Sequence, residues 1–274
     1  MLDALTDPFS GEISRRALAE VVLLGVVCGP LGAWIVLFRQ SYAAESLAHA
    51  ALPGLVVASL AGLPLLVGAA GGLGVAAVAI ALAARERNVG SDTAIAVVVT
   101  TLFGAGVVLA LQPEVPARLG ETLFGDPLSV SGADLAATAV LAMLVLAALG
   151  GFHRRLALAG FDRQAARSLG VKPERIELAL LILLAAATLV AVGALGNLLV
   201  VATLLAPGAA ALRLARKLGP TLALAAALAV AAGIAGLYAS YYLELAAGAS
   251  IALAAVTTFA IALAISSVSR RSVA

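Results

Sequence analysis

Nine stretches of this chain run for close to the length of a bilayer crossing with almost no charge: 17–38, 43–61, 64–84, 93–111, 131–152, 176–194, 197–212, 220–239 and 248–267. A helix needs about 20 apolar residues to cross a hydrocarbon layer of about 30 Å. Within that layer no water bonds free peptide groups, so each crossing segment must satisfy its own backbone. The expected fold is an all-α, polytopic integral membrane helical bundle forming a single domain over residues 1–274. The joint Gly193-Ala194-Leu195-Gly196-Asn197 is short and the segment after it is under length. Eight full spans plus a broken or re-entrant helix therefore fit as well as nine.

The composition agrees. Hydrophobic residues make up 63% of the chain and charged residues 12%, far more apolar surface than a soluble domain needs. Small residues are abundant, and they let helices approach closely where lipid removes the hydrophobic drive for association. The single cysteine, Cys28, excludes an intrachain disulfide and a cysteine-cage metal site, and it reads as a small buried hydrophobe. Residues 1–16 read as an N-terminal interfacial segment, because Asp3 and Asp7 precede Arg15 and Arg16 and no small-residue cleavage site follows.

Basic residues set the orientation. Arg85 and Arg87; Arg154, Arg155, Arg163, Arg167, Lys172 and Arg175; Arg213, Arg216 and Lys217; and Arg270 and Arg271 all fall on one side if nine segments cross. That side is read as cytoplasmic. Residues 112–130, with Glu114, Glu121 and Asp126 against Arg118 alone, then lie outside, as does the turn with Glu244. Arg15 and Arg16 are the exception to the rule. With a formal charge of +2 and basic residues confined to the ends of apolar runs, nothing points to nucleic acid.

One apolar stretch carries unusual chemistry. Ser41 to Leu60 reads SYAAESLAHAALPGLVVASL, with a carboxylate at Glu45 and one of the two histidines at His49. Four residues apart on a helix, they share a face. An ionisable group at membrane depth marks a binding site or pathway. A carboxylate oxygen and a neutral imidazole nitrogen are ligands that zinc or manganese accepts. A purely intrahelical hydrogen bond between the two is the plainer alternative. Two ligands leave the shell open, so water, backbone carbonyls or another helix must complete it.

Other polar residues read as structural. Glu20 is expected to snorkel to the interface, and His153 to sit at the interface beside Arg154 and Arg155. Asp126 caps a turn or the next helix, with a gate or delivery-protein contact as its functional reading. Asp134 favours a helix N-terminus. Glu244, with the same gate or delivery-protein contact as its functional reading, lies beside Tyr238, Tyr241 and Tyr242, which form an interfacial aromatic belt. Pro207 marks a kink or break. In the cytoplasmic loop 153–175, Asp162 caps a short helix whose apolar face is Ala165, Ala166 and Leu169, and Gly170 ends it. Its alternative is a connector that docks nothing. No Gly-x-x-x-x-Gly-Lys-Ser/Thr loop occurs, so any ATP hydrolysis belongs to another chain and this one is no enzyme.

The order SYAAESLAHAALPG, LFGDPLSVS (123–131), FDRQAARSLGV (161–171), LLVVATLLAPGAAA (198–211) and GLYASYYLELAAGASIAL (236–253) resembles the permease subunits of bacterial ABC importers for zinc, manganese or iron. That resemblance covers nearly the whole chain. It implies a type II importer fold in the plasma (inner) membrane and a homodimer of this chain. It also implies two cytoplasmic ATP-binding cassette subunits and an extracytoplasmic metal-binding protein. The family pairs an aspartate with a histidine four residues on; His49 matches and Glu45 departs by one methylene. Ala165, Ala166 and Gly170 match the importer motif that docks the ATPase. The divalent ion is cargo, with no permanently bound cofactor. Three rivals remain at this stage: an ABC permease for a metal chelate such as a siderophore or cobalamin, a proton-coupled secondary transporter, and a purely structural membrane subunit.

Overall fold

The computed structural model describes residues 7–83, 91–113, 126–196 and 199–271. Arg85, Arg87, Glu114, Arg118, Glu121 and Asn197 lie outside the described residues. The elements are α1 (Glu12–Leu37), α2 (Ser41–Ala50), α3 (Leu52–Leu60), α4 (Leu65–Ala83), α5 (Ser91–Ala110), α6 (Gly132–Phe161), α7 (Arg163–Ser168), α8 (Pro173–Leu195), α9 (Val200–Leu214), α10 (Leu218–Leu243) and α11 (Ala247–Arg271). Short 3-10 turns lie at Asp7–Phe9 and Pro127–Ser129. Among the described residues seven segments are long and apolar enough to cross a membrane, with α2 and α3 counted together, and 67–80 and 200–214 are shorter apolar helices. Over their described residues the nine apolar runs are thus mainly helical, 43–61 as two helices.

The bundle is built around α1, which packs against α6, α8, α9 and α10. Small residues make those crossings close. A Cβ on Gly29 would stand 2.3 Å from the Ala225 carbonyl oxygen, one on Gly32 1.8 Å from that of Leu204, and one on Gly208 2.4 Å from the Ala33 nitrogen. Pro207, buried in α9 next to Gly208, therefore lies in this crossing rather than in a break. The glycine contacts also fix direction. Gly25 meets Val230 while Gly29 meets Ala225, so α1 and α10 run antiparallel.

The ring contacts tell which ends coincide. Phe9 packs edge-on to Tyr238 at 5.3 Å, and Trp34 edge-on to His153 at 5.8 Å. The start of α1 thus shares an end with the finish of α10, and the finish of α1 lies beside the basic stretch of α6. Arg15 and Arg16 are on the opposite side from Arg154, Arg155, Arg213, Arg216 and Lys217. The exception to the charge rule persists in the structure, and Arg16 is paired with Glu12 one turn before it.

Three expectations change. First, α1 begins at Glu12 instead of 17, so the interfacial segment shortens. Secondly, α6 runs 30 residues, on to Phe161, well past the expected end at 152. At 1.5 Å per residue that is about 45 Å, so its basic last turns project out of a core of about 30 Å. Much of the expected 153–175 loop is therefore helix, and only 162–172 connects α6 to α8. Thirdly, Glu20 does not snorkel: it is 1% exposed, faces α6, and its Oε1 accepts a hydrogen bond from Thr138 at 2.7 Å. Hydropathy counts the apolar neighbours of Glu20 but cannot tell a lipid face from a protein face.

The outer surfaces of α4, α6 and α11 expose Val75, Val78, Met143, Leu144, Leu253 and Ile261. A band of that kind suits acyl chains. The close crossings yield a test. Gly32→Val forces α1 and α9 apart, and such overpacking costs about 1–3 kcal/mol or more. Gly71→Ala meets open space on α4 and should be neutral or gain up to about 1 kcal/mol of helix propensity. Thermal unfolding of the detergent-solubilised chain checks both, and equal midpoints for the two variants would contradict the packing described.

Candidate functional site

The Glu45–His49 stripe lies on α2, which the structure ends at Ala50; Ala51 turns and α3 starts at Leu52. The cause is Pro53. Its nitrogen carries no hydrogen for the carbonyl of His49 four residues back, and its ring crowds that carbonyl. The expected single span 43–61 is thus a broken helix, and the break follows directly on the histidine.

On α2 the two faces differ. Ala44 and Ser46 are buried in the bundle, Glu45 is exposed, and His49 is half-buried. The His49 ring leans on Phe103 of α5 at 5.0 Å between centroids. Its Nδ1 is buried and has no hydrogen-bond partner. The intrahelical bond to Glu45 is therefore not made through that nitrogen. From the start of α2, at the end of the bundle that carries Arg154 and Arg155, Glu45 lies about 6 Å and His49 about 12 Å along the axis.

Neighbouring backbones close on the break. A Cβ on Gly72 of α4 would stand 3.0 Å from the Ala50 carbonyl oxygen, and one on Gly106 of α5 2.9 Å from the Pro53 nitrogen. Small residues there let the interrupted backbone be covered by protein, which membrane depth demands. Among the described residues no group of three or more His, Cys, Asp and Glu side chains could hold a metal. One copy of the chain therefore offers a carboxylate and an imidazole, which is an open shell.

At the basic end of the bundle α7 is set by its caps. The Asp162 carboxylate accepts from the backbone N–H groups of Gln164 and Ala165, each at 2.9 Å. Gly170, with φ +78°, lets the chain reverse after Leu169, and the Val171 N–H bonds the Ala166 carbonyl at 2.9 Å. Arg163 pairs with Glu177, and Arg167 with Glu174 at 2.5 Å, tying α7 to the first turns of α8. The expected apolar face divides. Ala166 is fully buried against the bundle, Ala165 is half-buried, and Leu169 points outward at 66% exposed. Phe161 is likewise exposed, so two large apolar side chains stand out from a rigid, capped turn.

At the outer end Asp126 caps the Pro127–Ser129 turn through the Leu128 N–H at 3.0 Å. Asp134 forms a capping box with Ser131, accepting from its backbone N–H at 3.0 Å and its hydroxyl at 2.6 Å. Glu244 is exposed and adopts a left-handed conformation, φ 54°, in the turn between α10 and α11. Neither Asp126 nor Glu244 is drawn towards Glu45 and His49, which lie in the cytoplasmic half. His153 is half-buried within α6 against Trp34, not free at the interface. Glu20 is the residue that sequence reasoning placed wrongly; the signal for its burial is structural, its position about two turns into α1 opposite Thr138.

A polytopic helical bundle around one central helix, with a broken helix bearing a carboxylate and an imidazole in an apolar stretch, has the architecture of a permease, the membrane-embedded component of a transport system. The chain belongs to the ABC 3 transport family, whose model matches residues 10–266. It is 36% identical to the manganese transport system membrane protein MntC of Halalkalibacterium halodurans, over 90% of this chain and 85% of that one. It is 30% identical to the chelated iron transport system membrane protein YfeD of Yersinia pestis, over 96% of this chain and 89% of that one. The solved structure of PsaBC from Streptococcus pneumoniae in complex with Fab superposes with a TM-score of 0.87 at 28% identity, covering 96% of this chain and 95% of that one. The chain is thus an ABC-type permease component and a multi-pass protein of the bacterial inner membrane.

The capped turn makes a local prediction. Asp162→Ala removes an N-cap worth about 1 kcal/mol. The amide protons of Ala165 and Ala166 should exchange several-fold faster, with the global unfolding midpoint unchanged. Unaltered exchange would show that the two ion pairs hold α7 without the cap.

Proposed function

We propose that the chain is the permease subunit of an ATP-driven importer for a divalent transition-metal ion, manganese, iron or zinc, working as a homodimer. The observation that carries this reading is an exposed carboxylate, Glu45, one turn before a histidine with an unpartnered buried nitrogen. Both lie at membrane depth on a broken helix. A charge on a lipid-facing surface is costly. A second copy meeting this one across a two-fold axis would cover Glu45 and bring two carboxylates and two imidazoles to one place.

The chemistry follows from the ligands. An extracytoplasmic metal-binding protein releases a hydrated ion, and Glu45 and His49 replace part of its water shell. Imidazole must be neutral to ligate, and the carboxylate ionised. The shell stays incomplete, so the ion can leave. Glu45 in place of aspartate keeps the oxygen ligands and moves them outward by one methylene. Two cytoplasmic ATPase subunits engage the capped turn at α7, with Leu169 and Phe161 as its exposed apolar contacts. ATP binding there rocks helices as rigid bodies and switches the open side. The relatives support the cargo: one is named for manganese transport and another for chelated iron transport.

The test is metal uptake in cells at limiting metal. Glu45→Ala and His49→Ala should each lower uptake about tenfold or more, since even an outer-shell partner of a metal is worth that much. Glu45→Asp, which keeps a carboxylate, should retain most of it. Normal uptake by the double alanine variant, with the protein still in the membrane, would remove both residues from the pathway and favour a chelated cargo.

A further inference from the structure

A second polar cluster lies in the outer half of the chain, away from Glu45 and His49. A cavity of about 740 Å³ opens between α3 and α4 on one side and α6 and α8 on the other. Leu55, Ala69, Leu141 and Val190 line its apolar walls, and Glu20, Asp134 and Thr138 supply oxygen atoms. Asp134 and Thr138 are four residues apart on α6, hence on one face, and Thr138 donates to Glu20 Oε1.

Glu20 is the anomaly. It is 1% exposed, and its Oε2 is buried with no partner. A carboxylate oxygen left so costs the full desolvation penalty of the group. Asp134 makes matters worse: it is close enough to act on Glu20 electrostatically, and it is of the same sign. Among the described residues no Lys, Arg or His pairs with either carboxylate. Ser131 occupies only one oxygen of Asp134, its Oδ2. Apolar walls cannot compensate two carboxylates; a cation between them can.

We propose that Glu20, Asp134 and Thr138 form a second divalent-cation site in each copy of the chain, built from oxygen ligands alone. It goes beyond the Glu45–His49 reading and does not depend on it. Hard ions take such ligands: manganese(II), calcium and magnesium. Without nitrogen or sulfur the site discriminates little in favour of zinc. Three protein groups leave positions for water, and the cavity has ample room at about 30 Å³ per water molecule. The ion bridges the two carboxylates while Thr138 keeps its bond to Oε1.

Titration of the purified full-length chain in nanodiscs with manganese(II), following the electron paramagnetic resonance signal of the free ion, tests this. The Glu45→Ala, His49→Ala double variant serves as background. It should still bind about one ion per chain, displaced by calcium. Adding Glu20→Gln or Asp134→Asn should weaken that binding about tenfold or more, and Thr138→Ser should preserve it. Binding unchanged by both Glu20→Gln and Asp134→Asn, or no ion bound in the double variant, would overturn the site. Glu20→Gln that raises the melting temperature without altering binding would also overturn it, marking Glu20 as a protonated structural acid. Asp134 is exposed, so its variant carries the test where Glu20→Gln fails to fold. Since the Glu45 and His49 ligands are absent from the background, this result stands or falls apart from the uptake experiment.

Discussion

In hydrocarbon a peptide group has nothing to bond except another part of the protein, and leaving it unpaired costs several kcal/mol. That constraint makes every apolar run of this chain a helix. It also makes the interruption at Ala51 and Pro53 costly unless other protein covers it. The cover is supplied by Gly72 of α4 and Gly106 of α5, whose missing side chains let two backbones reach the break. The carbonyl that Pro53 leaves without its helical donor belongs to His49. Backbone exposure, polar side chains and close helix approach thus meet at one level of the bundle. The same economy accounts for irregular backbone in membrane proteins generally: it persists where protein or a water-filled path surrounds it.

The core is continuous across α1, α3, α4 and α8 to α11, and its crossings differ in closeness. The α1 helix is locked to α9 and α10 by crossings in which single glycines face backbone atoms. The α3, α4 and α5 helices pack on one another, and Ala50, Ala76 and Val99 form a small cluster of their own. The large cavity lies between α3 and α4, with Leu55 and Ala69, and α6 and α8, with Leu141 and Val190. Interfaces of small residues are rigid because any shift in them meets backbone, whereas a cavity wall meets none. The α7 turn, tied to α8 by Arg163–Glu177 and Arg167–Glu174, would pass a push from outside the membrane into the body of the bundle.

Much of this was legible in the residues. Nine apolar runs gave nine helical segments, the Asp162 cap and the Gly170 reversal lie where their chemistry put them, and Glu45 and His49 share one continuous turn of helix. What was hidden has physical causes. Basic residues after 152 read as a loop because charge signals the membrane boundary, yet a helix does not stop at that boundary; α6 simply continues into water. Leu169 was grouped with Ala166 by spacing, but six residues of helix cannot bury a whole stripe, and the larger side chain is the one turned out. Glu20 was misplaced because snorkelling is a property of a side chain on a lipid face, and only the fold reveals that α1 has no such face at that level. The break at Ala51 was spelled out by Pro53, whose consequence for His49 depends on helix register alone.

The position of Glu45 constrains any account of the assembled protein. A carboxylate that is exposed on one copy and about 6 Å from the helix start is tolerable beside water or beside another protein, and costly beside acyl chains. On its own α2 the neighbouring Ala44 and Ser46 face inward, so no local rearrangement hides the charge without exposing the core. On the proposed reading, the surface around Glu45 would line an aqueous path or an interface with another copy, and a two-fold arrangement would provide both at once. Ligand chemistry then sets a gradient along such a path. Carboxylates and a hydroxyl in the outer half suit a hard, largely hydrated ion, whereas an imidazole further in rewards the loss of water with a stronger nitrogen bond. An ion moving inward would exchange hydration for protein ligands in stages, with neither stage closed enough to retain it.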